Sequence, residues 1–323
     1  MKYRTIFLPV SICFLFIFAI INAELVVAGA YTGIDLCLKV IIPSIFPFLF
    51  LSMLMCNYWS GTDLSILRPI CKITGIPSCN QSILLLACIG GYPVGAQAIV
   101  QAWKNGRISR SQAQRLMGFC NNAGPSFIFG LMSTVFEGFW FPLLLWVIHI
   151  GSAFLVGILL PDKKINDSSA ATVRRDSISQ ILLKSIKITG TICGWVTLFR
   201  IVLHFMESTT LLPSTAVKAA VFGLIELSNG CILLKNIVST GLRFMIASGL
   251  LSVGGLCVGM QTASVTGKLG LGLYIQGKLL QTCISVFSSS VLGVCLFHDQ
   301  TCRIAGIVSL CCFMITYTVI KRK

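Results

Sequence analysis

A few polar residues sit where the surrounding chain is apolar, and their types decide what chemistry is open to them. Glu226 lies inside an apolar run, eight residues from Lys218 and nine from Lys235. A carboxylate at membrane depth is costly, so it faces a cavity or a partner; there it coordinates a cation, carries a proton or pairs with a cation such as Arg200. Arg200 and His204 are four apart and share a helix face. Asn121, Asn122 and Ser126 surround Gly124-Pro125, and Gln97 and Gln261 each follow a glycine pair. Amides and hydroxyls of this kind either cap helix ends or hydrogen-bond a polar solute. The chemistry of catalysis is missing. No G-x-x-x-x-G-K-[ST] cradles a phosphate, no H-E-x-x-H binds zinc, and no G-x-S-x-G presents a nucleophile. The three histidines (149, 204 and 298) are dispersed. The fifteen cysteines show no C-x-x-C spacing and mostly lie in apolar runs, as small apolar residues. The reading is therefore not an enzyme, with no catalytic residue, metal or cofactor.

These residues need elements to hold them, and composition says which. The chain has 323 residues, 55% hydrophobic and only 11% charged. Soluble domains carry about 25% charged residues, so an ordinary cytosolic enzyme, a secreted disulfide domain and a disordered tail are excluded. An all-α polytopic membrane protein remains, with roughly 8–10 transmembrane or re-entrant helices. The net charge of +15 is gathered in short clusters: Lys2 and Arg4; Lys104, Arg107, Arg110 and Arg115; Lys163, Lys164, Arg174 and Arg175; Lys321, Arg322 and Lys323. Such clusters mark cytoplasmic loops and place both termini in the cytoplasm. No basic-aromatic face offers itself to nucleic acid.

Along the chain, Lys2 and Arg4 precede an apolar run, and Ala28-Gly29-Ala30 resembles a signal-peptide cleavage site. The run continues through Val27, long enough to span, and is read as an uncleaved first helix over 5–28. A second run, 34–59, contains Pro43 and Pro47 and should be kinked. Residues 60–80 read as a loop with a short interfacial helix. Residues 81–103 are interrupted by Gly90-Gly91-Tyr92-Pro93; a polar helix starts near Ser109; Asn121–Pro125 breaks the chain again; and 138–160 make a clean span. Residues 161–176 form a polar linker. The second half has spans at 178–206, 215–234 (interrupted at Ser228-Asn229-Gly230), 241–266, 271–297 and 303–320.

The halves echo one another. GGYPVGAQAIVQAWKNG from Gly90 and GGLCVGMQTASVTGKLG from Gly254 share Gly, Val, Gln and Lys at the same offsets, without gaps. Gln112 and Leu116 also match Gln276 and Leu280. Interrupted apolar segments in two repeats point to a transporter-like site near the bilayer midplane, because irregular backbone survives in a membrane only where protein or a water-filled cavity satisfies it. The basic cluster after the first motif is thinner after the second, which is read as opposite orientation of the repeats. Gly91-x-x-x-Gly95 and Gly255-x-x-x-Gly259 have the spacing that lets helices approach closely.

IIPSIFPFLF at 41–50, GGYPVGAQ at 90–97, FCNNAGPSFIFG at 119–130 and LIELSNG at 224–230 together resemble the sporulation integral membrane proteins of the Gate (nucleoside-recognition) domain superfamily, a group linked to dipicolinate movement into the forespore. The resemblance covers about 33–297. It implies repeated Gate segments; with the runs read above, the expected organisation is an N-terminal transmembrane helix (1–30), a first Gate-like repeat (31–160), a cytoplasmic linker (161–176), a second Gate-like repeat, read as inverted (177–300), and a C-terminal transmembrane helix (301–323). It implies location in the cytoplasmic or forespore membrane, and a central region around Gly90–Gln97, Asn121–Ser126 and Glu226–Asn229. Substrate binding is expected at Gly90, Gly91, Tyr92, Pro93, Gly95, Gln97, Asn121, Asn122, Ser126, Ser228, Asn229, Gly254, Gly255 and Gln261, with Glu226 carrying a coupling ion or proton. The expected partners are the lipid bilayer and a small polar, anionic, dipicolinate-like solute. A nucleoside-like solute, a non-transporting scaffold of the spore envelope, and assembly with itself or other sporulation membrane proteins stay open. The chain departs from the family pattern in its shorter length and in Cys257 standing where the first repeat has Pro93.

Overall fold

The computed structural model describes residues 2–59, 64–76, 80–160, 176–208 and 212–321. Most of the 161–176 linker, with its four basic residues, lies outside them, as do Arg322 and Lys323. The described residues form helices and their connections, with no strand.

Helix α1 (Lys2–Ile21) ends at Asn22, and α2 (Ala23–Leu36) passes through a π turn (Cys37–Ile41) into α3 (Ile42–Trp59). The sequence reading divides this region near residue 30; the structure instead keeps 23–59 helical. Gly29 and Gly33 are not turn residues there. They lie against the backbone of a later helix, where a Cβ would come within 2.9 Å of the Cα atoms of Ile201 and Thr197. The π turn is the physical answer to Pro43, which cannot donate an N–H back into the helix.

A one-turn 3-10 segment and α4 (Arg68–Thr74) lead to α5 (Gln81–Ile89), α6 (Val94–Lys104), α7 (Arg110–Met117), α8 (Pro125–Met132) and α9 (Trp140–Leu159). Ser109 caps α7 in a reciprocal box with Gln112. After the linker come α10 (Ile178–Glu207), α11 (Thr215–Ile225), α12 (Leu227–Leu233), α13 (Thr240–Val253), α14 (Gly255–Thr266), α15 (Gly272–Phe297) and α16 (Thr301–Lys321). Among the described residues, six helical stretches are long and apolar enough to cross a membrane. Large apolar side chains stand exposed along them, such as Leu183, Leu198, Ile304 and Ile307, as a lipid-facing surface requires.

Helix α9, with 20 residues, measures about 30 Å, the thickness of a hydrocarbon core. It serves as a ruler. At its carboxyl end Arg115 of α7 donates to the Gly157 carbonyl at 2.6 Å, and Arg110 reaches the Lys268 carbonyl at 2.9 Å. At its amino end Phe136 stacks on Phe141 at 5.1 Å, and Arg243 donates to the Val135 carbonyl at 3.1 Å. So α7 and α8 together cross from the first end to the second, and α13 and α14 cross back.

The other two broken pairs are hairpins. Asn80, before α5, donates to the carbonyl of Arg107, after α6, at 3.4 Å, so that hairpin opens at the first end. Gly223 and Gly230 touch backbone to backbone, which a straight helix cannot do at seven residues' separation. The α11/α12 hairpin leads within a few residues to Ser239, at the second end.

The chain thus repeats one series, hairpin, interrupted crossing and continuous crossing, first as α5 to α9 and then as α11 to α15. The second copy starts from the opposite end, so the two are inverted. Their register differs from the motif match. The structure sets 81–104 against 215–233, whereas the GGYPVGAQ and GGLCVGMQ segments fall on a hairpin and on a crossing. What those segments share is a helix break at a left-handed glycine, Gly91 (φ 73°) and Gly254 (φ 75°). The charge asymmetry after the two motifs does not report orientation either: Arg110 and Lys268 lie together at the first end.

Candidate functional site

The four helix breaks meet in the middle of the molecule. Hairpin tip Gly91 presses on Gly124, between α7 and α8; a Cβ on Gly124 would stand 2.9 Å from the Gly91 nitrogen and Cα. Gly255, at the start of α14, lies against the end of α11, and a Cβ there would sit 2.6 Å from the Gly223 carbonyl oxygen. These contacts are backbone on backbone, which explains the glycines without any appeal to binding.

A cavity lies between the breaks. Gly90, Gly91, Tyr92, Ser126, Glu226, Ser228 and Gln261 of the expected site line it, together with Gly124. Ile41, Ile45, Ile192 and Val196 of α2–α3 and α10 close its apolar side. Counted at the centres of water molecules its volume is ≈ 40 Å³, room for about three waters.

Glu226 is the charged group in the lining. It is 2% exposed and stands between α11 and α12, so the hairpin turns two residues earlier than Ser228-Asn229-Gly230 suggests. Its Oε1 accepts from the Ser228 N–H at 3.1 Å. Its Oε2 accepts from the Asn229 N–H at 2.8 Å and the Asn229 amide at 2.7 Å. The carboxylate therefore caps α12 while facing the cavity. It does not pair with Arg200, whose guanidinium forms a two-point pair with Glu207 at 3.1 and 3.0 Å.

The other expected residues stand back from the cavity. Asn121 accepts from the Ala96 N–H at 3.3 Å and donates to Thr262 at 3.0 Å. It thereby joins the first turn of α6, whose N–H groups have no helical partner, to α14. Asn122 donates to the Phe119 carbonyl at 2.7 Å. Asn229 serves Glu226, Pro93 and Gly95 are buried on α6's first turn, and half-buried Gln97 lies beyond the lining. Gly254 and Gly255 shape the α13/α14 break, and Gly259 has open space around it.

Tyr92, of the expected site, donates to the Leu251 carbonyl at 2.9 Å, an acceptor freed by the α13 break. Around it the tertiary structure adds residues that the sequence did not assign to the site. Lys278, 3% exposed on α15, donates to Gln281 at 2.8 Å, Asn122 at 3.2 Å and Tyr92 at 3.3 Å. His149 Nε2 accepts from the Ala123 N–H at 3.0 Å, so its Nδ1 carries the proton and faces Ser252 at 3.4 Å. Ser252 and Ser152 both bond Ser285 at 2.7 Å. A signal was present in Lys278 and Gln281, polar residues in the middle of an apolar run, but nothing local tied them to Tyr92.

No family model and no solved structure matches the chain. Among curated proteins it is similar to the sporulation integral membrane protein YlbJ of Bacillus subtilis (strain 168), 28% identical over 140 residues. The match covers 42% of this chain and 34% of the relative, so it spans about a third of that protein's length. The chain is thus a multi-pass, all-helical membrane protein, similar in part to a sporulation integral membrane protein.

Proposed function

We propose that the chain is a transporter or facilitator of a small polar metabolite, working in a membrane of the sporulating cell, with no catalytic reaction of its own. One observation carries this reading: two inverted series bring four helix breaks around a cavity whose wall holds a buried carboxylate. A scaffold gains nothing from such a cavity, whereas a carrier needs its backbone interruptions there. The similarity to a sporulation membrane protein supports the setting. The basic side favours the first end as cytoplasmic, since Arg110 and Lys268 meet there. Helix α16 starts beside Asp299 at the second end, which puts the carboxyl terminus on the cytoplasmic side.

A carrier exposes its cavity to each side in turn, so the walls part during the cycle. The parts that can move against each other are the hairpin tips and the crossings, held by glycine contacts and a few side-chain bonds. Glu226 faces the cation or proton that accompanies the solute. Dipicolinate is the candidate solute and a nucleoside the alternative.

The test is uptake of labelled dipicolinate and uridine into proteoliposomes, for wild type and Glu226→Gln. Saturable uptake that is lost in the variant supports the reading. Folded wild-type protein that moves neither solute would leave the spore-envelope scaffold as the better account.

A further inference from the structure

Among the described residues, Lys278 is a buried lysine whose hydrogen-bond partners are all neutral. Its ammonium is coordinated by three neutral oxygens, of Gln281, Asn122 and Tyr92, and lies 5.1 Å from the centre of the Tyr92 ring. Among the described residues no carboxylate pairs with it. The Glu226 carboxylate is engaged by N–H donors of its own hairpin. A buried charge satisfied only by neutral groups is costly, and an apolar side chain of similar volume would hold the helices together better.

The fold goes out of its way to place this charge. Gly277, one residue earlier, lies on the Gly118 backbone at the end of α7, where a Cβ would collide with the Gly118 carbonyl. That contact brings α15 close enough for Lys278 to enter the α7/α8 break. The same break reaches the ammonium through Asn122 and the cavity through Gly124. Tyr92 stands between them: it lines the cavity and its hydroxyl accepts from the ammonium. One side chain separates the cavity from the charge.

We propose that Lys278 is the anion-recognising group of the central cavity, the residue that pairs with a carboxylate of the solute. When Tyr92 swings aside, the solute's carboxylate meets the ammonium, and Glu226 is left facing the accompanying cation. This inference rests on the solute-carrying reading and extends it to a residue and a charge.

The experiment measures binding to the full chain in lipid nanodiscs by titration calorimetry. The probes are pyridine-2,6-dicarboxylate and its uncharged diamide, equal in ring and nearly equal in size. The quantity read is the ratio of the two affinities, because loss of structure alone lowers both together. Wild type should prefer the dicarboxylate by at least about tenfold, the scale of a desolvated charge pair. Lys278→Gln should bring the ratio to about one, and Lys278→Arg should keep most of it; Lys278→Met replaces the Gln variant should that fail to fold. A preference that survives in Lys278→Gln overturns the assignment and leaves the carrier reading standing, as does a wild type that binds the diamide equally well. Folded wild type that binds neither probe overturns the assignment, and failure of uridine as well removes the carrier reading.

Discussion

The contact between Gly91 and Gly124 is the point where the first hairpin meets the first crossing, and it makes a quantitative demand. A methyl added at Gly124 would lie 2.9 Å from both the nitrogen and the Cα of Gly91. Unstrained carbon contacts sit near 3.5–4.0 Å, so two backbone segments must separate by about 0.5–1 Å. Neither can yield by a rotamer change, because the atoms in the way are main chain. The segments are also tied to their neighbours by Asn121 and Asn122. Overpacking of this kind costs about 1–3 kcal/mol. At about 2–4 °C per kcal/mol, Gly124→Ala should melt roughly 2–12 °C below wild type in detergent. Gly259→Ala is the matched control. Nothing lies within 4 Å of its Cβ position, and it is inside helix α14. There the methyl should be neutral or stabilise by about 0.5–1 kcal/mol. Differential scanning fluorimetry on both variants checks the pair. The reasoning is refuted if Gly124→Ala melts with wild type, or if Gly259→Ala falls as far.

Further outcomes follow from other contacts. Glu226→Ala leaves the Ser228 and Asn229 N–H groups without their acceptor and should cost about 2 kcal/mol, whereas Glu226→Asp should recover part of it, read by the same melts. Arg115 donates to the carbonyls of Thr74, Gly157 and Leu160; Arg115→Met should cost about 3 kcal/mol, and Arg115→Lys less. At the second end, hydrogen bonds from Ser239 and Thr301 hold the Asp299 carboxyl below its ordinary range. A depressed carboxyl stabilises the fold above its unfolded value and loses that contribution as pH falls through the folded one. Asp299→Asn should therefore lower the melting temperature at pH 7, and the gap to wild type should close on acidification. A gap that does not narrow at all as the pH is taken down through and well below the ordinary carboxyl range would assign the effect to packing. A cysteine placed at Lys104, in a background lacking reactive thiols, should react with an impermeant reagent only from the cytoplasmic side.

Class and element positions were readable because a membrane leaves few solutions. An 11% charged chain cannot cover a water-facing surface, and each apolar run of about twenty residues must satisfy its own backbone by becoming helix. The breaks were readable too, since paired glycines with proline stop a helix whatever surrounds them. Local pattern could not say whether a broken segment turns back or passes through. Gly90–Gly91 and Gly254–Gly255 look alike in sequence, yet one tips a hairpin and the other interrupts a crossing, because the distinction lies in which distant backbone each meets: Gly124 in one case, Gly223 in the other. Glu226 was conspicuous as a lone carboxylate in an apolar run, but its partners are the N–H groups of its own turn and not the arginine that composition offered. Lys278 shows the limit most plainly. Its sequence neighbours mark it only as a charge inside a helix, and its relation to Tyr92, 186 residues away, exists only once two inverted series are packed together. Helices form from local hydrogen bonds and hydrophobicity, which sequence records directly; a site made where four interruptions converge depends on contacts between segments far apart in the chain, which only the tertiary structure decides.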